Sequence, residues 1–267
     1  MKKKQAALTG LAALTLFDIV GAQVPAHAQT PVFNWTGYYV GVHTGYRVGQ
    51  FSGNVSSGTP EFDGCCDFVA LQLTSVPFSA NAGSGIFGFQ AGYNYQVSPD
   101  WLVGIETAWS WGRGTARFST LSETSDGFIS TNSLNYKMQL TWSGDVRGRL
   151  GIVKNDWLFY GTGGVAFQQV KVSGNTEYSD EFSVSILGNM AQSKVLFGYV
   201  IGAGVERMAV GGWTWRLEYL FADFGRQDFG TSFVGTDSVV TFTGNRPLSI
   251  DLQTHTVRVG VTKLFNP

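Results

Sequence analysis

Histidines, a cysteine pair and a set of acids and arginines are the side chains in this chain able to do chemistry. Hydrolysis by a serine nucleophile needs a histidine base and an orienting acid within hydrogen-bond reach of one another. The sequence holds His27, His43 and His255. His43 and His255 fall on opposite faces of the strands that carry them, and no serine stands apart as a partner, so catalysis is not expected. Cys65 and Cys66 are adjacent and are the only cysteines. Neighbouring cysteines bond only through a strained ring, and a metal site wants more ligands at wider spacing. They are read as incidental or as a link between molecules, with no metal and no cofactor.

The charged residues carry more information. Glu106, Asp145, Arg147, Arg149, Glu206, Arg216, Glu218 and Arg258 are four acids and four bases. Each occupies the polar side of a segment in which every second residue is apolar. Such alternation makes a β-strand with one oily and one polar face. Charges held together in a narrow space cost several kcal/mol unless paired, so this balance predicts a network of mutual salt bridges.

Eight segments show the alternation: Gly37–Val48, Gly85–Val97, Trp101–Gly112, Tyr136–Ile152, Trp157–Val172, Lys194–Arg207, Trp213–Phe224 and Thr254–Phe265. In the fourth, Tyr136, Met138, Leu140, Trp142, Val146, Leu150 and Ile152 share the oily face. The fifth is the least regular, and Gly161, Gly163 and Gly164 suggest a bulge there. No helical segment is left over to cover the oily faces. They must meet something outside the chain, and lipid fits. The fold class expected is all-β: an eight-stranded antiparallel up-and-down transmembrane barrel, closed by pairing the first strand with the eighth. Charged residues are only 14% of the chain, against about 25% in an ordinary soluble domain.

The connections alternate in length. Ser98-Pro99-Asp100, Lys154-Asn155-Asp156 and Ala209 to Gly212 are tight turns, whereas 49–83, 113–135, 173–193 and 225–253 read as long polar loops. Outer-membrane barrels have short periplasmic turns and long extracellular loops. Trp101, Trp157 and Trp213 each follow a short turn at a spacing of 56 residues, which places three indoles at one rim as a periplasmic aromatic girdle. At the N-terminus, Lys2, Lys3 and Lys4 precede an apolar stretch ending near Ala26-His27-Ala28, the pattern of a signal peptide cleaved after residue 28. The barrel then occupies 29–267. Taking Lys2, Lys3, Lys4 and Asp18 from 18 basic and 19 acidic residues leaves 15 and 18. That balance argues against a nucleic-acid partner.

Six short motifs are recognisable in order: Trp35-Thr36-Gly37-Tyr38-Tyr39-Val40-Gly41, Val146-Arg147-Gly148-Arg149-Leu150-Gly151, Tyr160-Gly161-Thr162-Gly163-Gly164-Val165-Ala166, Gly202-Ala203-Gly204-Val205-Glu206, Trp215-Arg216-Leu217-Glu218-Tyr219-Leu220 and His255-Thr256-Val257-Arg258-Val259-Gly260. The set resembles the small opacity-like outer-membrane β-barrels, close to the alphaproteobacterial outer-membrane antigen or porin type. The resemblance implies insertion in the outer membrane and recognition of the last strand by the barrel-assembly machinery. Such chains usually end on an aromatic residue. Here Asn266 and Pro267 follow Phe265, and Lys263 sits on the lipid side.

The function expected is a structural role in the cell envelope with surface exposure and no catalysis. Two alternatives stand beside it: a narrow porin for small solutes, and contact with external ligands through loops bearing Glu61, Asp63, Asp67, Glu177, Asp180 and Glu181. The expected partner is outer-membrane lipid; association of barrels with one another is left open.

Overall fold

The computed structural model describes residues 33–56, 59–61, 75–125, 129–180, 185–236 and 241–265. Eight long strands form one antiparallel ring: β1 (Gly37–Val55), β3 (Val76–Gln96), β4 (Trp101–Ser125), β5 (Ile129–Lys154), β6 (Trp157–Asp180), β7 (Ser185–Met208), β8 (Trp213–Thr236) and β9 (Thr241–Phe265). A three-residue strand, β2 (Thr59–Glu61), continues the line of β1 along β9. Each long strand pairs with its neighbours in sequence, and β1 pairs with β9 from Tyr38↔Phe265 to Val55↔Leu248, so the ring has no free edge.

Tight turns join the strands at one end, as the sequence suggests. Asn155 takes a left-handed conformation (φ 56°) in the β5–β6 turn, and Gly211 and Gly212 (φ 75° and 74°) make the β7 to β8 connection. At the other end the structure departs from expectation. The segments read as long loops are largely ladder: β4 runs to Ser125 and β5 starts at Ile129, paired residue by residue. The strands reach 19 to 26 residues, where about 10 suffice to cross a bilayer. Polar composition misled here, because a ladder that packs its apolar residues on the inner face needs no apolar outer face. Cys65, Cys66, Asp63, Asp67, Glu181, the cleavage site after residue 28, and Asn266-Pro267 lie outside the described residues.

A second departure is in β5. Val146, Leu150 and Ile152 point outward, but Tyr136, Met138 and Leu140 point into the barrel and are buried. Pairing with β6 slips by one residue between Leu140↔Val170 and Ser143↔Gln168. Thr141 binds the outward Gln169 (2.7 Å) and Trp142 stacks on the outward Trp109, so two successive side chains lie on the same side. That bulge inverts the alternation. The glycines of β6 bring no bulge of their own: its pairing with β7 is continuous from Trp157↔Arg207 to Ser179↔Ser185. A third irregularity parts β7 from β8 between Gly188↔Phe233 and Tyr199↔Asp223. There β8 bulges, with Gly225 at φ 61°, and Gln192 and Lys194 reach across to the carbonyls of Gly230 and Asp228 in place of ladder bonds.

Candidate functional site: the charged lumen

Inward side chains stack in layers along the barrel. Near the tight turns, Trp35, Tyr39, Leu102, Leu158, Tyr160, Met208 and Leu264 form an apolar cap. At the far end lies a larger apolar core that includes Phe51, Phe78, Leu134, Met138, Leu140, Val170, Phe229 and Ile250. Between the two sit the charges.

All eight charged residues singled out in the sequence point into this middle layer, and all are buried. Glu106 is the hub. Its Oε1 meets Arg147 Nη2 at 2.5 Å and Arg258 Nη2 at 3.5 Å; its Oε2 meets Arg216 Nη1 at 2.6 Å and Arg149 Nη1 at 3.5 Å. Glu218 holds Arg147 (3.0 Å) and Arg258 (2.5 Å), Glu206 holds Arg149 (2.5 Å) and Arg216 (2.6 Å), and Asp145 holds Arg147 Nε (2.6 Å). Close ion pairs of this kind offset the cost of taking ions out of water, and each carboxylate here has an arginine partner.

Sequence reasoning missed several members. Tyr39 donates to Glu106 (2.7 Å) and accepts from Arg149 (2.9 Å), while Tyr160 donates to Glu218 (3.0 Å) and lies 3.9 Å beneath the Arg149 guanidinium. Both tyrosines sit at inward positions by alternation, which was the available signal. Arg47 is a fifth buried arginine, one layer further along. It donates to Ser143 Oγ, Gln168 Oε1 and the Thr141 carbonyl, with no carboxylate among the described residues. A neighbouring layer corrects the view that no serine accompanies a histidine. His43 Nε2 lies 2.8 Å from Ser110 Oγ and Nδ1 lies 2.5 Å from Gln90 Oε1. Ser110 belongs to β4, two strands from β1, and the intervening residue is Gly88. A Cβ on Gly88 would lie 2.7 Å from His43 Nε2, so only glycine lets the ring cross. The three groups are buried on the inside wall. His255, by contrast, faces outward against Tyr219 and Phe221.

The outside of the same stretch is apolar. Tyr38, Val42, Phe87, Ile105, Leu150, Phe159, Phe197, Ile201, Trp215 and Val259 all stand exposed. Trp101, Trp157 and Trp213 lie outward on the strand residues next to the tight turns. A second run of rings lies further along: Phe87–Trp111–Trp109–Trp142–Phe167–Phe197, then Tyr199–Phe221–His255. The sequence reading did not assemble this ring, because its members come from seven strands.

Residues 10–262 match the family described as outer membrane protein beta-barrel domain. The chain belongs to that family, whose members are outer-membrane proteins. It is 32% identical over 254 residues to the 31 kDa outer-membrane immunogenic protein of Brucella melitensis biotype 1, covering 93% of this chain and 92% of that protein. A 22 kDa outer membrane protein of Rhizobium leguminosarum bv. viciae is 36% identical over 125 residues, 47% of this chain and 53% of the relative. Among solved structures, the outer membrane protein OprG from Pseudomonas aeruginosa is similar with a TM-score of 0.40 at 12% identity, covering 88% of this chain and 99% of that one. The alphaproteobacterial outer-membrane antigen type expected from the motifs agrees with these relatives, and the chain is an outer-membrane β-barrel.

Proposed function

We propose that the protein is a closed, non-catalytic element of the outer membrane that anchors a tall surface-exposed β-structure. The apolar outer band sets the depth of insertion. Trp101 and Trp111 on β4 bound that band; ten residues at about 3.3 Å each, tilted about 40°, rise about 25 Å, the height of an outer-membrane barrel's apolar zone. Trp101, Trp157 and Trp213 then serve as the periplasmic girdle and the second ring as its outer counterpart. The part beyond the second ring stands in water, which accounts for its inverted pattern: polar outside, apolar inside.

One observation carries the reading: the arginine–glutamate layer is packed between two apolar layers, so the charges brace the wall and do not line a path. Eight strands leave an interior just wide enough for side chains to fill. The Ser110–His43–Gln90 chain, enclosed within the same wall, serves as a polar brace. Phe265, outward at the end of β9, is the aromatic offered to the barrel-assembly machinery.

Planar bilayers test the reading. Protein whose gel mobility shifts on boiling, the sign of a folded barrel, is expected to give no channel steps. Regular steps from such protein would replace this reading with the narrow porin. Ester hydrolysis abolished by Ser110→Ala would overturn the non-catalytic assignment.

A further inference from the structure

Just beyond the second aromatic ring, the outer wall of β4, β5 and β6 carries Arg113, Arg117, Lys137 and Lys171. Arg117 and Lys137 are directly paired across β4 and β5, and Lys171 pairs with Gln139, two residues along from Lys137. All four side chains lie on the outer face. None of them forms an ion pair among the described residues; their outward neighbours Thr115, Ser119, Asn135, Gln139, Ser173 and Ser193 are polar and uncharged. Glu177, the outward acid with a described side chain on this part of the wall, lies six residues along β6 from Lys171 and accepts from Asn175 (3.1 Å). Like charges set opposite each other in a ladder are destabilising, so a bare Arg117–Lys137 pair calls for a counter-anion. The opposite rim differs: Lys154 is paired with Asp100 (3.1 Å) and Arg207 with Asp156 (2.9 Å).

Position narrows the anion. At about 2.5 Å of height per tilted residue, Arg113 stands about 5 Å above Trp111, Lys171 about 10 Å above Phe167, and Arg117 about 15 Å above Trp111. The polar layer of a phospholipid leaflet is only about 5–8 Å thick. The cations therefore begin in the headgroup layer and continue past it. Directly below them, Trp142 stacks on Trp109 at 4.8 Å and Phe167 lies 5.5 Å from Trp109, a broad aromatic surface at the height of acyl chains.

We propose that this wall of β4–β6 binds an outer-leaflet lipid with a phosphorylated saccharide headgroup, phosphates on Arg113, Arg117, Lys137 and Lys171 and acyl chains against Trp109, Trp142 and Phe167. This rests on the reading that the apolar band is the membrane zone.

The test uses the full chain, folded in detergent micelles, with bisphosphorylated lipid A as the probe and native mass spectrometry as the readout. Arg117→Gln/Lys137→Gln/Lys171→Gln is compared with the parent, and Lys154→Gln/Arg207→Gln serves as the control at the other rim. Each cation near an anionic lipid surface contributes roughly fivefold, so the triple variant is expected to bind about a hundredfold more weakly. The control is expected to match the parent. Retention by the triple variant within about threefold of the parent overturns the proposal. So does equal retention of a heparin fragment, which would make the ligand a soluble polyanion. The boiling-dependent gel shift of every variant reports the barrel separately: folded variants without lipid preference sink this site alone, whereas a parent showing no shift sinks the membrane reading first.

Discussion

Glu106→Gln removes one charge from the centre of the lumen and leaves the side-chain shape nearly unchanged. Glu106 makes the two tightest hub contacts, to Arg147 at 2.5 Å and Arg216 at 2.6 Å, and both arginines are fully buried. After the change, Arg147, Arg149, Arg216 and Arg258 share only Asp145, Glu206 and Glu218, and the layer holds an uncompensated cation. Removing one partner of a buried pair costs about 3–5 kcal/mol, mostly because the other charge stays out of water. The matched control is Lys154→Gln, whose pair with Asp100 is largely exposed and is worth about 1 kcal/mol at most. Urea unfolding in lipid vesicles, followed by tryptophan fluorescence and gel shift, measures both. Glu106→Gln/Arg216→Met removes the excess cation and is expected to recover more than half of the loss, a coupling that only interacting residues show. A Glu106→Gln loss within about 1 kcal/mol of the control, or strict additivity in the double variant, would refute the bracing role.

Three further outcomes follow from the fold. Leu140→Ala hollows the apolar core of the outer half and is expected to cost about 2–5 kcal/mol in the same unfolding assay; a loss under about 1 kcal/mol would mean that Leu140 is not packed inside. Gly164→Ala would place a Cβ 2.1 Å from the Val146 carbonyl oxygen and 2.8 Å from the Arg147 backbone, whereas a Cβ on Gly148 meets nothing closer than 3.8 Å. The first substitution is therefore expected to prevent the heat-modifiable form and the second to leave it intact. With Cys65 and Cys66 replaced by serine, a membrane-impermeant maleimide is expected to label Gln139→Cys on whole cells and to spare Met138→Cys; the reverse labelling would place the bulge elsewhere.

Much of the ring was legible because lipid and lumen impose opposite demands on neighbouring residues. Between Trp101 and Trp111, or Trp213 and Phe221, alternation alone identifies the side to which each residue points. Beyond the second aromatic ring the code still alternates but its meaning reverses, as the proposed emergence of the wall from hydrocarbon into water requires. Alternation thus places Tyr136, Met138 and Leu140 outward along with Val146 and Leu150, and the residue that resets the phase, Thr141, has no special chemistry to announce it. The eight lumen charges were found from polarity at alternate positions. Ser110 and Arg47 belong to the same inward sets, but their partners lie across other strands, and spacing within one segment carries no information about that. The polar stretches misread as loops failed for a related reason: hydrophilicity reports contact with solvent, and extended ladders touch solvent too.

The parting of β7 from β8 gives the barrel two regions of unequal commitment. From Thr214 to Asp223 each residue of β8 is locked to β7, whereas between that point and Phe233 the ladder lapses and, among the described residues, the Gln192 and Lys194 side chains reach across the gap. Beyond the gap the outer ends of β7 and β8 belong to different hairpins, β6–β7 and β8–β9, which can therefore part from each other, with Tyr199↔Asp223 acting as a stop that keeps the lower rows in register. The wall should therefore open most readily along this seam, and least at β4–β5, where beyond the shift between Trp111 and Gly114 the ladder runs unbroken to Ser125↔Ile129.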